Sequence, residues 1–300
     1  MNRRRIFFVF AICISLICIA GETAGKTGKK RSGQICITFD NLPAERIYDK
    51  KDRNWIDDRI LTALKKHNIK AAGFVIGDNI EGDWSILEKW LGAGHIIGFL
   101  PYSGQDVNEV PTGYLVDDID KGMESLEDIT STHQQSGRYF RYPLLRYGKN
   151  PEIRKQIEDF LTHENVTVVH ATVVPNDFIF NLTADKLATS RDSTRIKELC
   201  NEYISHIQLC LDSAEVLASD VMGRKVKHIM ELHANRINAM FLDEIMASLI
   251  DRGYRIISLP DALQDKLYKY HDAYYADQTV SFLKRIKLSD PNLLPAIEEY

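Results

Sequence analysis

Short β-branched and aromatic runs, each halted by a polar loop or a proline and separated by helical patterns, constrain this chain more than any other feature. The first, Ile35-Cys36-Ile37-Thr38-Phe39-Asp40-Asn41-Leu42-Pro43, carries an acidic residue to its end and stops. Similar runs lie at 71–76, 95–100, 138–142, 166–174, 226–233 and 254–259, four of them followed at once by a proline, Pro101, Pro143, Pro175 and Pro260. β-branched and aromatic residues favour strands. Strands that alternate with helices imply βα units around a parallel sheet or barrel, with chemistry at the strand ends.

The intervening stretches read as helices. Residues 52–68 place Trp55, Ile56, Ile60, Leu61 and Leu64 at helical spacing behind Asp52 or Asn54 as a cap. Helices are also expected at 84–91, at 114–129, at 151–161 behind Pro151, and at 238–251 with Gly253 as the stop. The long charged stretch 183–222 reads as one or two outer helices with breaks near Thr189 and Ser213. The tail, 268–300, holds Tyr268, Tyr270, Tyr274, Tyr275 and Phe282, which are expected to wrap the barrel.

Composition sets the outer limits. With 300 residues, 44% hydrophobic and 27% charged, the chain has enough material for one large domain. Its formal net charge of -4 leaves no basic excess to neutralise a phosphate backbone, so nucleic acid is not the expected partner. Arg3, Arg4 and Arg5 precede an apolar run that reaches Ala20, the layout of a secretory signal peptide. Export to the periplasm or medium is therefore expected; the alternative is an anchor left in the membrane. Residues 21–33 read as a linker, 34–267 as the barrel and 268–300 as an extension packed on it. Of five cysteines, Cys36, Cys200 and Cys210 lie beyond the leader without metal-type spacing.

From Gln34 to Leu263 the chain resembles a polysaccharide deacetylase. The likeness rests on Thr38-Phe39-Asp40-Asn41, on the segment 94–104, on Phe140-Arg141-Tyr142-Pro143, on Asn176-Asp177-Phe178, and on the segments 227–233 and 252–259. The resemblance implies a distorted (β/α) barrel of seven βα units that removes acetyl groups from N-acetylated sugars with zinc or a similar cation. It assigns Asp40 as the base, oriented by Arg141, and His233 as the acid, held by Asp177. The family's metal ligands, one Asp and two His, correspond here to Asn41, Leu100 and Gly104, so no metal is expected at those positions. Tyr102, Tyr142 and Phe178 are the expected substrate contacts. His95 precedes its strand and reads as structural, while Glu231, Asp118 and Asp120 read as solvated.

Three functions remain open at this point. One is an exported, glycan-binding family member with metal-dependent N-deacetylation lost or reduced. A second is metal-independent hydrolysis of a non-peptide carbon–nitrogen bond in a glycan or an N-acetylated small molecule, with Asp40 as base and His233 as acid. The third is a rebuilt metal deacetylase using Asp40, His233 and Asp106.

Overall fold

The computed structural model describes residues 33–190 and 192–289. The leader-like residues 1–20, the linker up to residue 32 and the end of the tail, 290–300, lie outside the described residues. The first half runs β1 (Gly33–Leu42), α1 (Lys50–Lys66), β2 (Ala72–Val75), α2 (Ser85–Gly92), β3 (Ile96–Phe99), α3 (Thr112–Glu124), α4 (Glu127–Thr132) and β4 (Tyr139–Phe140). The second runs α5 (Pro151–His163), β5 (Thr167–Val168), α6 (Phe178–Leu187), α7 (Ser193–Met222), β6 (Lys227–His233), α8 (Arg236–Asp251), β7 (Tyr254–Ile256), α9 (Leu259–Leu263) and α10 (Phe282–Ser289).

All strand pairs are parallel, in the order β5-β4-β3-β2-β1-β6. β7 joins the same edge of β1 as β2, pairing Gly33–Ile35 while β2 pairs further along at Thr38 to Leu42. Past β5 the backbone changes partners. Val169 N donates to the Phe140 carbonyl, then Thr172 N and Val173 N donate to Ile229 O, and Glu231 N donates to Val173 O. These bonds curl the sheet into a distorted (β/α) barrel of seven strands, the expected fold class. That change of partner is also why 166–174 is a two-residue strand and a bridge rather than one long strand.

Strand parity sorts the interior. Cys36, Thr38 and Asp40 share one face of β1, and Ile229, Glu231 and His233 share the matching face of β6. The same interior holds an apolar cluster of Cys36, Phe74, Leu100, Val169 and Ile229, and Thr38, Asp40 and Glu231 are buried there as well. The opposite strand faces carry Ile35, Ile37, Phe39, Met230 and Leu232 into the layer beneath the helices.

Several helix boundaries differ from expectation for local reasons. Asp49 caps α1, its side chain accepting from Asp52 N, where Asp52 or Asn54 was expected. The stretch 114–129 divides into α3 and α4 as Leu126 turns into the core. α7 passes Ser213 unbroken because Leu211 and Ala214 on either side are buried, and it ends at Gly223 with φ 64. Cys36, Cys200 and Cys210 are free thiols. In the described tail, Phe282, Leu283 and Ile286 are buried, and Phe282 N donates to Ala171 O. Among the described residues no helix is long and apolar enough to cross a membrane.

Candidate functional site

Register brings the site together. β1 and β6 lie side by side with Thr38 opposite Glu231 and Asp40 opposite His233, so all four side chains project toward the mouth of the barrel. Arg141 follows β4 from across the interior, its backbone N donating to Phe99 O. Asp177 stands immediately before α6. The sequence-predicted quartet of Asp40, Arg141, Asp177 and His233 therefore converges on one place.

His233 is held by a relay of hydrogen bonds. Its Nδ1–H donates to Asp177 Oδ1 at 2.7 Å and its backbone N–H to Asp177 Oδ2 at 2.8 Å. Asn238 Nδ2 donates to Asp177 Oδ2 at 2.6 Å and to the His233 carbonyl at 2.9 Å, while Tyr203 donates to Asn238 Oδ1 at 2.8 Å. Asn235 caps α8 by accepting from Asn238 N, which fixes that residue below the histidine. The proton is thus placed on Nδ1, and Nε2 is the nitrogen left for the site.

The electrostatics follow from this geometry. Burial disfavours the imidazolium, but Asp177, with Glu231 and Asp40, outweighs it and raises His233 to about 10. Burial also works against the charge on Asp177, yet His233 and the hydrogen bonds hold it below the usual carboxylate range. For Asp40 the balance goes the other way: burial raises it more than Arg141 and His233 lower it.

Arg141 is fully buried and anchored mainly by others. Nη2 donates to Thr38 Oγ1 at 3.0 Å, and the guanidinium lies 4.4 Å from the Phe74 ring centroid. Its Nη1 stands 3.4 Å from Asp40 Oδ1, an ion pair without hydrogen-bond alignment.

Glu231 corrects the sequence reading. Expected to be solvated, it is 5% exposed and sits beside Asp40 and His233. Burial and Asp40 push it up to about 8. The signal was present in the sequence: Glu231 precedes His233 by two positions in a strand, which puts both on one face. Asp106, considered for a rebuilt metal site, instead pairs with Arg146 at 2.5 Å. Among the described residues, the group of three side chains close enough to share an ion is Asp40, Glu231 and His233.

The positions that the resemblance assigns to metal ligands do not fit a cation. Asn41, at φ 62, turns its amide away to donate to Glu45 Oε1 at 2.8 Å. Leu100 is 2% exposed within the apolar interior. At Gly104, with φ 69, an added Cβ would stand 2.7 Å from Ile76 Cδ1. Thus one position is turned, one apolar and one sterically closed.

The expected substrate contacts are spread more widely. Phe178 is well exposed at the start of α6, directly after Asp177. Tyr102 is half-buried, with Lys121 Nζ 3.6 Å from its ring centroid. Tyr142 is a correction: it is buried against Phe140 and Tyr147, and borders a separate cavity of about 560 Å³ with Arg154 and Tyr268. His95 is buried near Trp90, accepting from Ala71 N at Nδ1.

Comparison with known proteins adds the lineage. A family profile described as polysaccharide deacetylase matches residues 27–160. The chain is 24% identical over 238 residues to a peptidoglycan-N-acetylglucosamine deacetylase of Bacillus cereus, covering 79% of this chain and 71% of that one. It is 27% identical over 116 residues to the peptidoglycan-N-acetylmuramic acid deacetylase PdaA of Bacillus subtilis, 39% of this chain and 40% of the relative. Among solved structures, a CE4 family pseudoenzyme from Bacillus anthracis superimposes with a TM-score of 0.54 at 17% identity, covering 79% of this chain and 67% of that one.

Proposed function

This chain belongs to the polysaccharide deacetylase superfamily, and from that premise we propose that it is an exported, glycan-binding member in which metal-dependent N-deacetylation is lost or reduced. The observation that carries the reading is the filled metal position, with Leu100 buried and Ile76 closing the space beside Gly104. A Lewis acid supplies several kcal/mol of transition-state stabilisation in amide cleavage, and these positions offer it no ligands. The leader-like start of the sequence and the peptidoglycan-directed names of the relatives support a cell-envelope glycan as the partner.

One observation favours a second reading. The relay from Tyr203 through Asn238 and Asp177 to His233 keeps a proton donor oriented, and Arg141 stays beside Asp40. Asp40 taking a proton from water while His233 delivers one to a leaving nitrogen is the pairing that metal-independent cleavage of a carbon–nitrogen bond requires.

Acetate release from N-acetylglucosamine oligomers, measured with zinc and again with chelator, tests both readings alongside glycan binding. The expected result is binding without zinc-stimulated release. Zinc-dependent release overturns the first reading. Chelator-resistant release that vanishes in Asp40→Asn or His233→Ala establishes the second.

A further inference from the structure

We propose that Asp40, Glu231 and His233 together hold a divalent cation of the zinc class, at a place distinct from Asn41, Leu100 and Gly104. The inference goes beyond the reading above and does not depend on it. Its basis is the pairing of β1 with β6. Thr38 opposite Glu231 and Asp40 opposite His233 put the three ligating side chains on one inner face, and one ligand atom from each lies within 4.8 Å of the others. Ligand atoms around a shared zinc-class ion stand about 3.3 Å apart, so an inward swing of roughly 1 Å completes the set.

The donor chemistry suits the ion. Two carboxylates and an imidazole form a borderline-hard set of the kind zinc and its neighbours accept. His233 already has the outer partner that a metal-binding imidazole needs, because Asp177 takes the Nδ1 proton and aims Nε2 at the site. Asp40 is 2% exposed, and its Oδ1 has no hydrogen-bond donor. A buried oxygen left in that state calls for a partner. Arg141 Nη1 makes an ion pair with that oxygen at 3.4 Å but aligns no hydrogen bond on it, since its hydrogen bond goes to Thr38 and its face to Phe74.

Formal charge points the same way. Asp40, Glu231 and Asp177 are three buried carboxyl groups facing one buried guanidinium, Arg141. An ion entering here takes the places of the protons on Glu231 and His233, and the three carboxylates facing Arg141 then leave two negative charges, which one divalent cation cancels. The side chain of His233 is 22% exposed, giving an ion a way in from the mouth.

Isothermal titration of the full chain with zinc chloride tests the site, using Glu231→Gln, His233→Gln and Cys210→Ser. The last removes the thiol that lies 3.5 Å from His206 Nε2, a surface pair able to collect zinc adventitiously. The expected result is one equivalent bound by the unmodified chain and by Cys210→Ser, weakened about tenfold or more by either ligand substitution. If the amide variant fails to give a folded circular dichroism spectrum, Glu231→Leu, which removes the charge and fills the volume, replaces it with the same expectation. No binding, or binding lost in Cys210→Ser but kept in Glu231→Gln, overturns the inference. Acetate release from the same samples is scored separately: zinc-dependent release counts against the proposed function, whereas the titration alone decides the cation site.

Discussion

At the end of β6, His233 and Asp177 hold each other charged; beside β2 and β3, burial works against charge on His95 and Asp57, and apolar side chains occupy the positions that the resemblance assigns to metal ligands. His233 and Asp177 share two hydrogen bonds, with Asn238 and Tyr203 behind them. On the other side His95 is kept down at about 4 by burial, and Asp57 is pushed up to about 7 by burial. Trp90 lies between those two, donating to Asp57 at 3.4 Å with its ring 5.1 Å from His95. The barrel thus contains a region organised by charge pairing, at its mouth around His233, and a region organised by packing, around β2 and β3, and the candidate acid and base lie in the first.

The largest test of this contrast is Asp177→Ala. It leaves the His233 and Asn238 donors without their shared acceptor in a nearly inaccessible place, so a loss of about 3–5 kcal/mol is expected in urea unfolding. A loss below about 1 kcal/mol would mean that the relay serves the site without holding the fold, and the contrast would fail on its charged side.

Next in size is Gly104→His on the packed side. The substitution meets Ile76 at once and forces a side chain onto a backbone with φ 69, so destabilisation of about 2–3 kcal/mol is expected. Pairing it with Ile76→Ala should relieve part of the cost, leaving the double variant more stable than the sum of the two singles. For the same reason Asn41→Asp, Leu100→His and Gly104→His together should not recover zinc-dependent acetate release until Ile76 is shortened. Recovery in the triple variant alone would show that the packed side yields easily.

How much of this was legible in the sequence follows the same division. Asp40 and His233 each close an apolar run and could be placed at strand ends, but the roles of all four, Arg141 and Asp177 included, came from the resemblance to polysaccharide deacetylases. Leu100 and Gly104 could be recognised as replacements, but Ile76 closing the space could not, since that contact joins residues 28 apart through the fold. Glu231 was missed because a glutamate is solvated by default; strand parity with His233 overrides that preference. Asp106 was misjudged because its partner, Arg146, lies 40 residues further along. The change of partner between β4 and β6 shortened a run whose β propensity predicted nine strand residues. Propensity is local, while the ladder it joins is not.

The pH response should separate the two regions. The folded value of His95 is lowered, so its contribution to stability is present above the unfolded value near 6.5 and is lost as pH falls through 6.5 toward about 4. The folded value of Asp57 is raised, so its contribution is complete below the unfolded value near 3.8 and is lost as pH rises through about 7. Each is expected to move stability by about 3–4 kcal/mol over its full window. In thermal melts between pH 4 and 8, His95→Asn should flatten the acid limb and Asp57→Asn the neutral limb. A variant that keeps the slope of the unmodified chain would show that its group is not held neutral.

The smallest effect is expected at Asn41, where the two regions meet. It follows Asp40 directly, yet its side chain turns outward to donate to Glu45 at 2.8 Å. Asn41→Asp introduces the residue type that the resemblance implies there, but it sets two carboxylates against each other at a half-buried position. A loss of at most about 1 kcal/mol is expected near neutral pH, shrinking as pH falls below about 4, and Glu45→Gln should return most of it. Were Asn41→Asp instead stabilising, and more so with zinc, the new carboxylate would have turned inward beside Asp40. The boundary between the packed and charged regions would then be set by this one amide rather than by Leu100 and Ile76.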